Sequence, residues 1–353
     1  MEEVFLKLVR FGIGLPIVDL PNSINWNDIL VMASQQGLGA VIFDGIEKLP
    51  EKQMPPKVFL LQWIGEVLQS ESGVAVQQKA AVNMAQLLHQ NLIRTYVLKG
   101  TVIAECYPKP MHRVSVDMDC FLLPEKGDFN AWMLGNDIIK TQGYEVRYDY
   151  YKNSTFLFHG LTVENHQYFT PFRGNARLKR LEKVLQSLIK EDKGNDRFDD
   201  TWLYRPPVMV TALFLIEHAY SHFLHEGLTW KMVLDWMMFR RKHNEEIDWV
   251  VFDEFVDELG FRKFYDSYYR LGQYLLGELN EECLNTQDKK MLDDVWSELD
   301  VHETVKGVKG KLALVGNTWR ARWKYQYFSE DSMLKALWIQ VKGVLFVKNP
   351  TLN

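Results

Sequence analysis

Apolar residues recur at three-to-four spacing across residues 26–49 and 58–93, the pattern of helices that bury one face. Pro50, Pro55 and Pro56 separate the two stretches. From Arg94 the period shortens. An apolar run Tyr96-Val97-Leu98 stops at Lys99-Gly100-Thr101, a brief helical turn follows, and "RVSVDMDCFLL" reads as a strand. A helix is expected over 127–142, and after Gly143 the segments 144–151, 154–159 and 161–169 read as three short strands, parted by Lys152-Asn153 and by Gly160. Beyond them the helical period returns and holds almost to the end. The chain therefore divides into a helical region 1–92, a mixed α/β core 93–170 and a helical domain 171–353, an α+β fold with a small mixed sheet flanked by helical regions. No internal repeat is visible, and 191–200, "EDKGNDRFDD", has the composition of a surface loop.

One strand breaks the apolar pattern with Asp117 and Asp119. Residues two apart on a strand share a face, so the two carboxylates lie side by side while Val116, Met118 and Cys120 point the other way. At about 5–6 Å such a pair repels by roughly 3 kcal/mol at an effective dielectric near 20, and burial adds to this. A divalent cation such as Mg2+ relieves the repulsion and keeps positions open for phosphate oxygens. An exposed strand edge neutralised by Arg113 or a lysine relieves it equally well. The surroundings favour the cation: Gly100-Thr101 joins a strand to a helix, where backbone N–H groups can hold a phosphate, and Glu164 supplies a third acid from a later strand.

Strand, Gly-Thr, helix, DxD strand and later strand acid together resemble the nucleotidyltransferase superfamily of DNA polymerase β type. More narrowly, the chain is similar to the bacterial group of uncharacterised nucleotidyltransferases. It carries that group's Lys99-Gly100 pair, Arg113 four residues before Asp117-Met118-Asp119, and Glu164-Asn165-His166. The likeness extends to "WNDILVMASQQGLGAVIFDGI" and to "LFLIEHAYSHFLHEGLTWKMVLDWMMF", and so covers about 26–240. Thr101 stands in place of the usual serine, Val116 where glycine is frequent, and Asn165 in place of an apolar residue.

The resemblance implies transfer of a nucleoside monophosphate from an NTP to an acceptor hydroxyl, with Mg2+ or Mn2+ held by Asp117, Asp119 and Glu164. Gly100 and Thr101 would meet the β and γ phosphates, and Glu164 would help activate the acceptor. Lys99 and Arg113 are candidates to neutralise the leaving group, Arg113 having a structural pairing with a strand carboxylate as its alternative. His166 shares a face with Glu164, either to contact phosphate or as an ordinary half-buried histidine. The reading requires Glu164 to turn toward the two aspartates and no lysine to plug the gap between them. A protein that kept the fold and nucleotide binding but not turnover is the competing expectation; an RNA-directed transferase is a third.

His218 and His222 are four apart and share a helix face, with His225 about a turn beyond. The spacing suits a metal pair, a nucleotide-facing role or a plain interhelical contact, but it lacks the glutamate of a metalloprotease motif. Asp235 is expected to orient one of these histidines or to pair with Lys231 or Arg240. The remaining features add limits. Net charge is −5, which argues against nucleic acid as a partner, and three scattered cysteines with an acidic N-terminus suit a reduced, cytoplasmic setting without structural zinc. The basic stretch 172–183 (Arg173, Arg177, Lys179, Arg180, Lys183) is expected to be a solvated helix face. Trp319, Trp323 and Tyr327 within "NTWRARWKYQYF" are expected to pack as one face, and the apolar tail from Ser332, with Lys335, Lys342 and Lys348, to dock on the body or a partner.

Overall fold

The computed structural model describes residues 1–16, 20–149, 151–172, 174–297, 321–330, 332–335 and 338. Four helices open the chain: α1 (Glu2–Gly12), α2 (Trp26–Gln35), α3 (Gly39–Ile46) and α4 (Lys57–His89). The apolar stretch 26–49 splits into α2 and α3 because Gly37 takes φ +66°, a left-handed turn that ends the first helix. The side chain of Asn25 caps α2 by accepting from the backbone of Asp28. Pro56 directly precedes α4, where the missing N–H of a proline is no loss.

The sheet has six strands in the order β3-β4-β5-β2-β1-β6. They are β1 (Ile93–Val97), β2 (Asp117–Pro124), β3 (Arg147–Asp149), β4 (Asn153–Phe158), β5 (Leu161–His166) and β6 (Leu203–Tyr204). β2 runs antiparallel to β1 and parallel to β5, so the sheet is mixed, as expected. β6 was not foreseen. It pairs parallel with β1, so the sheet takes a strand from beyond residue 170, and its two residues are too few to show an alternating pattern. Between β1 and β2 lies the short α5 (Thr101–Ala104); α6 (Ala131–Thr141) follows β2, capped by Asn130.

The two faces of β2 meet different partners. Leu122, in phase with Met118 and Cys120, packs under α6 and α4: a Cβ on Gly135 would lie 2.4 Å from Leu122 and 3.6 Å from Leu88. The opposite face carries Asp117, Asp119 and Phe121, and Phe121 stacks on Phe169, which meets Phe214. Phe214 belongs to α8 (Val208–His225), which with α7 (Ala176–Glu191), α9 (Trp230–Lys242), α10 (Trp249–Glu258), α11 (Arg262–Leu276) and α12 (Thr286–Ser297) forms the C-terminal helical region. One hydrophobic core runs through all three regions, from Phe5 and Trp63 through Tyr96 and Val163 to Trp230 and Phe252. Among the described residues no helix is long and apolar enough to cross a membrane.

Candidate active site

Register sets the geometry. In the parallel β2/β5 pair Asp119 lies opposite Glu164 and Phe121 opposite His166, so Asp119, Glu164 and His166 project from the same face. One ligand atom from each of the three lies within 4.8 Å of the others. His166 Nε2 is 2.9 Å from Asp119 Oδ1 and 3.8 Å from Glu164 Oε2, while its Nδ1 faces the Tyr168 carbonyl at 3.3 Å. Asn153 Nδ2 donates to Glu164 Oε2 at 3.3 Å, holding it from the neighbouring strand. Asp117 stands outside this cluster, at the start of β2 and on the wall of the adjoining cavity.

Lys99 meets the cluster from the end of β1. Its Nζ lies 2.9 Å from Asp119 Oδ2 and donates to His218 Nε2 at 3.1 Å. Glu164 thus turns toward Asp119, but Asp117, the other aspartate the reading needed, lies outside the cluster, and a lysine does sit against Asp119 while making no ion pair with Asp117. Burial alone would raise the Asp119 carboxyl; Lys99 and His166 overcome it and hold the group well below the usual carboxylate range. Burial pushes Glu164 up, and the charge of Asp119 pushes it further. His218 is driven well below the ordinary histidine value, first by burial and then by Lys99 and His222, which leaves a neutral ring to accept from Lys99.

A cavity of about 580 Å³ opens between this face of the sheet and helices α8 and α9, within the usual size of small-molecule sites. Asp117, Glu164 and Lys99 line the sheet side; Glu217, His222 and Lys231 line the helical side. Glu217 is 2% exposed with no partner for Oε2 among the described residues, and burial pushes its carboxyl up to about 7. Burial, reinforced by Arg113, brings the Lys231 ammonium down to about 8. Two oxygens and an imidazole converging beside a polar cavity are a donor set that a divalent cation accepts.

Residues 22–277, more than half of the chain, match the family described as uncharacterised nucleotidyltransferase. The chain belongs to that family. No curated protein and no solved structure matches it. The activity the family name denotes is nucleotidyl transfer, and the acidic cluster is a candidate metal site for it.

In this nucleotidyltransferase Arg113 is buried and gripped by Asp235 of α9, Nε to Oδ1 at 3.0 Å and Nη2 to Oδ2 at 2.6 Å. Tyr107 donates to the same carboxylate at 2.8 Å. Asp235 therefore pairs neither with a histidine nor with Arg240, which lies over the rings of Trp249 and Tyr269. The Arg113 carboxylate comes from a helix and not from a strand. Arg113 also donates to Ser115 Oγ, and Ser115 donates to the Asp117 carbonyl, so the grip fixes the backbone where β2 begins. Gly100, at φ +72°, brings the loop close: a Cβ there would lie 3.4 Å from Ser115 Oγ. Thr101 opens α5 beside Gly100 and Asp117, all three lining a small depression of about 40 Å³.

His222 bonds Glu226 Oε2 at 2.9 Å while its ring packs 4.4 Å from that of His218. Val116 lies 78% exposed on the cavity rim and Asn165 points to the other face, where it donates to Asn136. Neither departure from the family pattern touches the acidic cluster. Of the basic stretch, Arg177 pairs with Glu330 and Arg180 with Glu258, both largely exposed, while Arg173 lies outside the described residues. Trp323 and Tyr327 pack on the core and Lys324 pairs with Asp294 at 2.8 Å. Trp319, Lys342, Lys348 and most of the apolar tail lie outside the described residues. Lys152, Glu217 and Lys231 were not foreseen as cavity residues. Only Lys231 carried a signal, sitting four residues before Asp235 and so on its helix face.

Proposed function

We propose that the chain is a metal-dependent nucleotidyltransferase that moves a nucleoside monophosphate from an NTP to a hydroxyl of a small molecule, sugar or protein, releasing pyrophosphate. The observation that carries this reading is the parallel register that sets Asp119 opposite Glu164, with His166 between them, at the edge of a cavity with cations on both walls. Asp119 and Glu164, with His166 or Asp117 completing the set, would hold Mg2+ or Mn2+; the imidazole favours Mn2+ where it takes part. When bound, the metal supplies charge neutralisation for the triphosphate and the attacking oxygen.

The protein's own groups do the rest. Glu164, raised by burial and by Asp119, accepts the acceptor's proton; the acceptor oxygen attacks the α-phosphorus in line, the bond to the β-phosphate oxygen breaks, and pyrophosphate leaves. Gly100 and Thr101 cradle the β and γ phosphates, with Lys99 neutralising them and neutral His218 fixing the Lys99 ammonium. His222, on the cavity wall, faces the nucleotide. Arg113 acts as a positioning residue, because Asp235 occupies its fork. Free Cys106, Cys120 and Cys283 fit a reducing, cytoplasmic setting.

Incubation with each of the four NTPs and Mg2+ or Mn2+ should release pyrophosphate, EDTA should stop it, and Asp119→Asn should bring it to background. One observation favours a second reading, a nucleotide-binding protein without turnover: Lys99 already compensates Asp119. Tight, metal-independent NTP binding with no product across a broad panel of hydroxylated acceptors would select it. Absence of both binding and turnover would remove both readings.

A further inference from the structure

We propose that Lys231 anchors the terminal phosphate of the bound nucleotide, forming an anion site on the helical wall of the cavity. The proposal rests on the nucleotidyltransferase reading for the identity of the anion, but the site itself follows from how charge is shared out. The cations expected to hold phosphate are already matched within the protein: Lys99 with Asp119 and His218, Arg113 with Asp235. Lys231 is not. It lines the same cavity, and among the described residues no acceptor lies within hydrogen-bond or ion-pair reach of it. Of the two acids that act on it, Asp235 has both oxygens taken by Arg113 and Tyr107, and Asp117 makes no ion pair with it.

Place and shape agree. Lys231 and Asp117 line the same cavity, and Asp117 also lines the small depression that Gly100 and Thr101 share, so the two surfaces that can meet phosphate adjoin at Asp117. Its stem passes the α2–α3 turn so closely that a Cβ on Gly37 would lie 3.1 Å from Lys231 Cδ. A stem held in this way aims the ammonium, and a half-buried cation without an ion-pair partner gains when an anion joins it. Lys99 on the sheet side and Lys231 on the helical side of one cavity match a polyphosphate better than a single phosphate group.

The test uses the full chain and Lys231→Met, which keeps an unbranched stem and removes the charge. Thermal shift and calorimetric titration would be run with orthophosphate, tripolyphosphate and the four NTPs, each with Mg2+. The wild type should bind tripolyphosphate and an NTP far better than orthophosphate. Lys231→Met should lose about tenfold or more in affinity for both and melt at or above the wild-type temperature, because it no longer buries an unmatched charge. Lys231→Arg should recover part of the affinity. Unchanged tripolyphosphate affinity in Lys231→Met overturns the proposal, as does a lower melting temperature restored by Lys231→Arg with binding unmoved. The two readings separate cleanly: NTP binding that ignores Lys231→Met removes the anchor alone, whereas tripolyphosphate binding that needs Lys231 in a protein that takes no NTP removes the nucleotide reading alone.

Discussion

The two walls of the cavity handle charge in opposite ways. On the sheet wall every buried ionic group is answered by another: Asp119 by Lys99 and His166, Lys99 by His218, Arg113 by Asp235. On the helical wall neither Glu217 nor Lys231 has an ion-pair partner among the described residues, and burial pushes one carboxyl up to about 7 and brings one ammonium down to about 8. Matched charges fix geometry without ligand; unmatched ones weaken the empty fold and gain most when something binds. The sheet wall is thus built to position, and the helical wall to receive.

The contrast makes opposite forecasts for substitutions on the two sides. The largest effect belongs to Asp119→Asn, which should lower pyrophosphate release by about a thousandfold or more and, by stranding Lys99, destabilise the fold by about 3–5 kcal/mol in urea titration. Asp235→Leu should cost about 3 kcal/mol through the stranded Arg113, with a looser Asp117 backbone read as a higher KM for NTP. A stability change below about 1 kcal/mol in either variant would show that the sheet wall is not held by its pairs.

Glu217→Gln should do the reverse. The native carboxyl titrates about 7 against an ordinary 4.5, chiefly through burial, so its contribution to stability is complete below 4.5 and is lost as pH rises through 7. The amide escapes that loss. Variant and wild type should melt together at acidic pH, while at pH 8 the variant should gain about 3 kcal/mol. Equal melting at pH 8 would place a compensating cation, such as Lys152, against Glu217 after all.

The smallest effect lies away from the cavity, where His112 bonds Asp44 at 2.8 Å and Glu71 at 2.9 Å and ties the N-terminal helices to the loop before Arg113. The Asp44 hydrogen bond raises the histidine above 6.5 against burial, so the linked stability is complete below 6.5 and is lost as pH rises past the folded value. His112→Gln should flatten this slope, by about 1 kcal/mol between pH 6 and 9.

Much of this was legible in the chain. The DxD on a strand and the acid-x-His three strands later announced a shared face, because period-two alternation is local and register then follows from the hydrophobic rows on either side. What local pattern could not announce is which distant group answers which charge. Arg113 and Asp235 are 122 positions apart, and nothing in either neighbourhood names the other. β6 escaped for a related reason, since two residues cannot display a period. The apolar length of 26–49 suggested continuity, and only the positive φ at Gly37 divides it.

The Arg113–Asp235 clasp has a mechanical corollary. It ties the loop feeding β2 to the middle of α9 across the cavity floor, and prising those elements apart would expose two charges that water reaches nowhere else. A helix motion that kept this pair intact would leave the start of β2 and the middle of α9 fixed to one another, so any opening of the cavity would have to come from its other walls.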